Sequence, residues 1–335
     1  NIYFGDNPFE NPPKDIVQQG YEAILNYWKQ QELQGTTKLY EAKIAIVGEP
    51  GAGKTSLQKK LIDNKYIVPN KEESTVGINV HEGWAFPYPK DKRVSFKTNL
   101  WDFGGQEVQY MTPRSLYVLV ADDRKQDTEF DYWCRIINLL GRENTGVCSP
   151  ILVVLNQKNH QSVTNFGIAK YRKLYPKLTI EYIEADLSKN EGHFNLVQNR
   201  IQHLVTNLPH IAQDLPALWS VIRKVLIAKR KTNNHITWTD FNKICTAKKL
   251  PKEADQKVFS QYLHSLGVIV HYFDDMDLRD FVILNPQWAV DAVYSVLNDN
   301  EIARSGGYFS REQVETIWST KLDKNSQPRY NHDER

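Results

Sequence analysis

The stretch from Ala42 to Ile62 constrains this chain more than any other. Ala42-Lys43-Ile44-Ala45-Ile46-Val47 is a short apolar run that predicts a buried strand, and Ser56-Leu57-Gln58-Lys59-Lys60-Leu61-Ile62 predicts the start of a helix. Between them lies Gly48-Glu49-Pro50-Gly51-Ala52-Gly53-Lys54-Thr55. Strand, glycine loop and helix in this order suit a bound phosphate. The loop must wrap closely enough for backbone N–H groups to point inward, and side chains at the glycine positions would obstruct that wrap. The helix N-terminus adds partial positive charge. Lys54 can then reach the β and γ phosphates of a nucleotide, while the Thr55 hydroxyl is placed to ligate Mg²⁺. Gly48 to Ser56 is accordingly the predicted nucleotide-binding segment.

Composition narrows the class further. A length of 335 residues predicts about two domains, each able to bury a core. Charged residues make up 24% of the chain but the net charge is only +2, so no global field marks a nucleic-acid or membrane binder. Cys134, Cys148 and Cys245 lie far apart and form no C-x-x-C pair, which predicts buried thiols in a reducing cytoplasm. No apolar run approaches the roughly 20 residues that span a bilayer, and the polar start Asn1 to Asp6 is no signal peptide. A soluble cytoplasmic protein without a transmembrane segment is expected.

Further stretches carry chemistry. Val94 to Leu100 predicts a strand that ends in Trp101-Asp102-Phe103-Gly104-Gly105-Gln106-Glu107. An aspartate at a strand end can hold a Mg²⁺-bound water, the glycine pair lets the Gly105 N–H approach a γ-phosphate, and Gln106 can orient the attacking water. Thr75 occupies a position that resembles the Ras-like threonine closing on Mg²⁺ and the γ-phosphate. Ser115 to Ala121 predicts a strand, Asp127 to Leu140 a helix with Phe130, Trp133, Ile137 and Leu140 on one face, and Ile151 to Leu155 another buried strand. That strand closes on Asn156-Gln157-Lys158-Asn159, which resembles the N-K-x-D guanine motif with two departures, Gln157 for lysine and Asn159 for aspartate. An aspartate accepts from both guanine N1–H and N2–H₂, whereas an asparagine offers one acceptor oxygen. Loss of a charge-assisted bidentate contact costs roughly 1–3 kcal/mol, so guanine preference is expected in weakened form and ATP or mixed use stays open. Thr179 to Glu184 predicts the last strand, and Phe194, Val197, Ile201, Leu204 and Leu208 line a last amphipathic helix. The intervening Ala185 to Gly192 matches no base-contacting motif.

Together these residues resemble the Roc GTPase domain of Roco proteins, Ras-like switches set between leucine-rich repeats and a COR domain. Ile2, Phe4, Asn7 and Phe9 ahead of them resemble the end of one repeat, and Leu284-Asn285-Pro286-Gln287-Trp288 behind them narrows the resemblance to Roco. The resemblance implies an α/β fold, a P-loop NTPase (Ras-like) mixed sheet flanked by helices, followed by a mainly helical, winged-helix-like COR subdomain. It divides the chain into a repeat end at 1–11, a helical linker at 12–37 with Val17, Tyr21, Ile24 and Trp28 as its packing stripe, a Roc domain at 38–209 and the N-terminal part of COR at 210–335. It implies GTP and GDP as substrate and product, Mg²⁺ as cofactor, intramolecular contact with the repeats, and a homodimer through a second COR half absent from this chain. The stretch from Asp102 to Ser115 is shorter than switch II and its helix in Ras-like domains, which points to a truncated helix or to residues missing from this sequence.

In the second half, Asp214-Leu215-Pro216 is expected to begin a helix with Leu218, Trp219, Ile222, Val225 and Leu226 inward. Two more helices are expected at Thr237 to Cys245 and Glu253 to Leu266, then a hairpin of Val268 to Phe273 with Asp280 to Leu284. Trp288, Val290, Val293, Tyr294 and Leu297 mark another helix, and Ser310 with Gln313 forms a capping box. Helices followed by a wing resemble a DNA-binding winged helix. Asp274, Asp275, Asp277 and Asp280 on the wing, with Glu253 and Asp255 on the second helix, would repel phosphates, so nucleic acid is not an expected partner. The expected function is a slow GTP-hydrolysing switch. Lys54, Thr55, Thr75, Asp102 and Mg²⁺ hold the phosphates, Thr75 and Gly105 sense the γ-phosphate, and Gln106 positions water. Asn156, Gln157 and Asn159 meet the base, and Pro50, with no N–H to give, restrains turnover. A scaffold that binds nucleotide with little turnover and an ATP or mixed-specificity NTPase are the alternatives.

Overall fold

The computed structural model describes residues 12, 16–17, 20–69, 77–104, 110–125, 128–143, 146–158, 166–321 and 329–330. The first half runs α1 (Tyr21–Gln34), β1 (Thr36–Lys38), β2 (Glu41–Val47), α2 (Lys54–Ile62), β3 (Ile78–Tyr88), β4 (Asp91–Phe103), β5 (Ser115–Asp122), α3 (Phe130–Leu140), β6 (Ile151–Asn156), α4 (Ile168–Leu174), β7 (Ile180–Ala185) and α5 (Asn195–Thr206). The second half runs β8 (Asp214–Pro216), α6 (Ala217–Lys229), β9 (His235–Thr237), α7 (Trp238–Ala247), α8 (Glu253–Ser265), β10 (Phe281–Ile283), α9 (Pro286–Leu297), α10 (Asn300–Arg304) and α11 (Arg311–Thr320).

Six strands form one mixed sheet in the order β3-β4-β2-β5-β6-β7, with β3 antiparallel to β4 and every other pairing parallel. β2, β5 and β6 are buried at every position, because helices cover both faces and neither side of the pleat meets water. Their side chains divide with period two. Ile44, Ile46, Val118, Val120, Leu152 and Val154 pack with Leu57 and Leu61 of α2 and Val197 and Ile201 of α5. Ala45, Val47, Tyr117, Leu119, Val153 and Leu155 pack with Trp133 and Ile137 of α3 and Tyr171 of α4.

A second core joins α6, α7 and α8 through Trp219, Ile222, Phe241, Phe259 and Leu263. Ile16, Val17, Ile24 and Tyr27 belong to this core, so the helix that precedes the sheet packs with the helices that follow it. The Tyr27 ring meets Trp219 edge-on at 6.3 Å, and its hydroxyl donates to the Asp214 carbonyl. The expected stripe holds at Val17 and Ile24 but not at Tyr21 and Trp28, which are 53% and 46% exposed, while Tyr27 faces inward.

Three other expectations are corrected. Asp214–Pro216 is a strand paired antiparallel with β1, not a first helical turn, because Leu215 precedes a proline and is driven to extended backbone. β10 pairs along its length with β9, while the 268–273 stretch reaches it through the single Val270–Ile283 bridge. On α9, Val293 and Leu297 are exposed, and Ala289, Val290, Ala292 and Val296 form the buried stripe.

The two halves share a buried boundary. Val270 and Val290 lie in the same cluster as Ala45 and Tyr117. Asn99 Nδ2 donates to the Leu266 carbonyl at 2.8 Å, and Arg223 pairs with Glu41 at 2.6 Å. The Lys43 ammonium lies 4.1 Å from the Trp101 ring centre and donates to the Tyr110 carbonyl at 2.5 Å. Burial among these groups pushes the Lys43 pKa down to about 7.

Candidate functional site: the loop at the strand ends

β2 delivers its glycine loop to the C-terminal ends of the parallel strands, where open α/β sheets bind ligands. Two glycines are obligatory there. At Gly48 φ is 133° and an added Cβ would sit 2.1 Å from the Val120 carbonyl oxygen. At Gly53 φ is 106° and the same atom would sit 2.5 Å from Asn156 Nδ2.

The carbonyls of the loop are engaged one by one. Lys54 Nζ donates to the Gly48 and Glu49 oxygens at 2.9 Å each. Lys125 Nζ donates to the Pro50 oxygen at 2.7 Å, Lys158 Nζ to the Gly51 oxygen at 3.2 Å, and Asn156 Nδ2 to the Ala52 oxygen at 2.9 Å. From Gly48 to Ala52 each carbonyl therefore meets a side-chain donor, which fixes the orientation of the intervening peptide groups. Trp133 Nε1 holds the Glu49 carboxylate at 3.2 Å. Asn156 also accepts from the Leu187 N–H at 3.2 Å, and Lys60 donates to the Leu187 carbonyl at 2.8 Å, so the turn after β7 is tied to both loop and helix.

Below the loop, Thr55 Oγ1 donates to Asp102 Oδ2 at 2.6 Å. Hydroxyl and carboxylate oxygens at one point are hard donors of the kind Mg²⁺ takes, and Asp102 is wholly buried, so the pair fits that ion. Ser56 is buried beside Thr55 in the first turn of α2. Asp122 lies at the rim. Burial opposes its charge, but hydrogen bonds from Arg124 and the nearby Lys158 ammonium hold its pKa below the usual carboxylate range.

Gly48, Glu49, Pro50, Gly51, Ala52, Gly53, Lys54, Thr55, Ser56, Asp102 and Asn156 thus converge. Gln157 does not join them: its amide donates to Glu184 of β7 at 2.9 Å. Thr75, Gly105, Gln106 and Asn159 lie outside the described residues, as does the repeat-like 1–11 stretch. Lys125, Trp133 and Lys158 were not legible as site residues. For Lys158 a signal existed, a lysine one position beyond the place where the guanine motif puts it. For Lys125 and Trp133 only the fold brings them to the loop.

Comparison with known proteins agrees with this architecture. Residues 43–159 match the model of the Roc domain, described as Ras of Complex, Roc, domain of DAPkinase, and residues 216–333 match that of the C-terminal of Roc, COR-A domain. The structure of Methanosarcina barkeri Roco2 RocCORdC bound to GDP superposes with a TM-score of 0.72 at 28% identity, covering 88% of this chain and 89% of that one. A Roc-COR-CHAT protease from an unknown prokaryotic organism is 26% identical over 90% of this chain and 30% of its own length. A probable serine/threonine-protein kinase, pats1, from Dictyostelium discoideum is 25% identical over 92% of this chain and 10% of its own. The chain spans less than a third of either curated relative. Among the described residues no helix is long and apolar enough to cross a membrane. The two domain matches, the superposed Roco structure and these relatives together support the Roco family for this chain, a Ras-like Roc domain followed by COR-A.

Proposed function

We propose that the chain is a guanine-nucleotide switch that hydrolyses GTP slowly to GDP and phosphate. The observation that carries this reading is the engaged carbonyl row from Gly48 to Ala52 directly above the Thr55–Asp102 pair. Side-chain donors on these carbonyls order the peptide groups of the loop, and the backbone N–H groups of a loop so ordered are the element that cradles phosphate. Pro50 contributes no N–H to that set, which weakens it at one point. Thr55 and Asp102 would hold Mg²⁺, which when bound neutralises phosphate charge. Lys54 carries the fixed charge for the β and γ phosphates, and Gln106 is the group assigned to orient the attacking water, with Thr75 and Gly105 sensing the γ-phosphate. The Methanosarcina barkeri Roco2 structure is bound to GDP, which favours guanine.

COR-dependent tuning of turnover, a homodimer formed through a further COR half, contact with leucine-rich repeats and a cytoplasmic setting belong to the same proposal. The domain limits at 11, 37 and 209 do as well. Titration calorimetry of nucleotide-free protein with GDP and with ADP, at saturating Mg²⁺, tests the reading. GDP binding tighter than ADP by a hundredfold, about 2.7 kcal/mol, supports the guanine switch. Equal affinities would replace it with a mixed-specificity NTPase, and GTP bound without turnover, unchanged in Gln106→Leu, would leave a scaffold.

A further inference from the structure

β3 is an edge strand, and an edge exposes backbone groups that want partners. At its start a single side chain from the COR half supplies them. Gln287 Oε1 accepts from the Val80 N–H at 2.6 Å, and Gln287 Nε2 donates to the Ile78 carbonyl at 3.1 Å. These are the two bonds that a neighbouring strand's peptide group would make. The amide is itself held in place, since Nε2 also donates to Asp291 Oδ1 at 2.7 Å and Arg329 pairs with the other oxygen of that carboxylate. The aim of Gln287 is set by the helix start. Asn285 caps α9 by accepting from the Trp288 N–H, and Pro286 occupies the first turn. Two turns further along α9, the Tyr294 ring closes over Gly77, where an added Cβ would fall 2.7 Å from the ring and φ is 81°.

The same four residues are gripped from the nucleotide side. Asn79 exchanges two hydrogen bonds with Gln58 of α2, at 2.9 and 3.1 Å. It is also the register partner of Asp102, and the Gly77 carbonyl accepts from the Gly104 N–H at 2.6 Å. Gly77–Val80 therefore lies between the loop helix and COR-A, bonded to both.

We propose that Gln287, with Tyr294 beside it, is a positioning residue for the nucleotide site: it holds Gly77–Val80 in the register that keeps Asn79 on Gln58 and on the strand carrying Asp102. The inference rests on the nucleotide-switch reading above. By linkage, a bound nucleotide that favours this register tightens the docking of α9 by the same factor that α9 tightens the nucleotide.

The experiment uses the whole chain and a fluorescent N-methylanthraniloyl derivative of GDP, with release followed after addition of excess GDP. Binding by the unmodified protein is measured first. Its absence would overturn the switch reading and this inference with it. Gln287→Ala is expected to speed release about tenfold, the loss expected when two backbone hydrogen bonds that hold a site are removed. Arg230→Ala breaks another contact of the COR half with β3, at Glu82, without touching Gly77–Val80, and is expected to change release by less than about twofold. The double variant Gln287→Ala with Asn79→Ala is expected to fall short of the product of the single effects, because both act through one segment. Unchanged release in Gln287→Ala, an equal effect from Arg230→Ala, or strictly multiplicative effects with Asn79→Ala would each overturn the proposal.

Discussion

Acid sensitivity at the boundary between the halves follows from one histidine. His210 stands between the last helix of the sheet domain and β8, is 3% exposed, and has its pKa pushed down to about 3 by burial first and the Arg114 guanidinium second. In the unfolded chain a histidine titrates near 6.5. Above that pH both states are neutral at this site and the group costs nothing. Below it the unfolded chain takes up a proton that the folded chain refuses, so stability falls progressively from pH 6.5 down to about 3 and then levels off. Between pH 7 and pH 5 the loss amounts to about 2 kcal/mol, a large share of the roughly 5–15 kcal/mol that holds a domain. Urea unfolding of the unmodified chain and of His210→Gln at pH 7, 6 and 5 isolates the effect, since a glutamine has no proton to take up. His264, also pushed down to about 3 by burial and the Lys43 charge, adds the same slope to both proteins and cancels in the comparison. The stability gap between the two proteins should narrow by about 2 kcal/mol on going from pH 7 to pH 5. Parallel curves would refute the assignment of a buried neutral imidazole at this position.

Three other outcomes are expected. Gly48→Ala should abolish nucleotide binding and lower stability by at least about 2 kcal/mol in thermal unfolding, because its Cβ meets the Val120 backbone and its φ is unfavourable to any other residue. Asn156→Ala releases both the Ala52 carbonyl and the Leu187 N–H, so GDP affinity in calorimetry should weaken about tenfold while circular dichroism stays that of the folded chain. Arg223→Met leaves the Glu41 carboxylate buried across the domain boundary with Asn99 as its remaining side-chain donor, and should cost about 3 kcal/mol in urea unfolding, with a cost below about 1 kcal/mol counting against a buried pair.

The parts of the fold that could be read in advance are those in which one residue pattern admits one geometry. β2, β5 and β6 announce themselves as unbroken apolar runs because both faces are covered, and the glycine loop announces itself because Gly48 and Gly53 stand where any side chain would collide. Reading failed where the decisive partner is distant in sequence. The proline extends Asp214–Pro216 locally but nothing nearby names its strand partner β1, and Tyr27 rather than Trp28 turns inward because Trp219 supplies its ring contact. Within the site, spacing assigned Asn156 and Gln157 to the base. In the structure Asn156 bonds the Ala52 carbonyl, Gln157 donates to Glu184, and Lys158 reaches the Gly51 carbonyl. A motif scanned residue by residue carries no information about which neighbour competes for an amide.

The same distance effect explains how the two halves are joined. The chain leaves α1, which is embedded in the second core, passes through β1 into the sheet domain, and returns through β8, the antiparallel partner of β1, to α6. The sheet domain is thus inserted into the helical half through two adjacent strands of three residues each. Such a ribbon is too short to be stable alone. What fixes the angle between the halves is therefore the buried boundary, where Lys43, Glu41 and His210 are taken out of water, and the contact of α9 with the edge of β3. Charged and polar groups are costly to bury and become more costly when a partner shifts, so this boundary stabilises one arrangement sharply rather than many arrangements weakly.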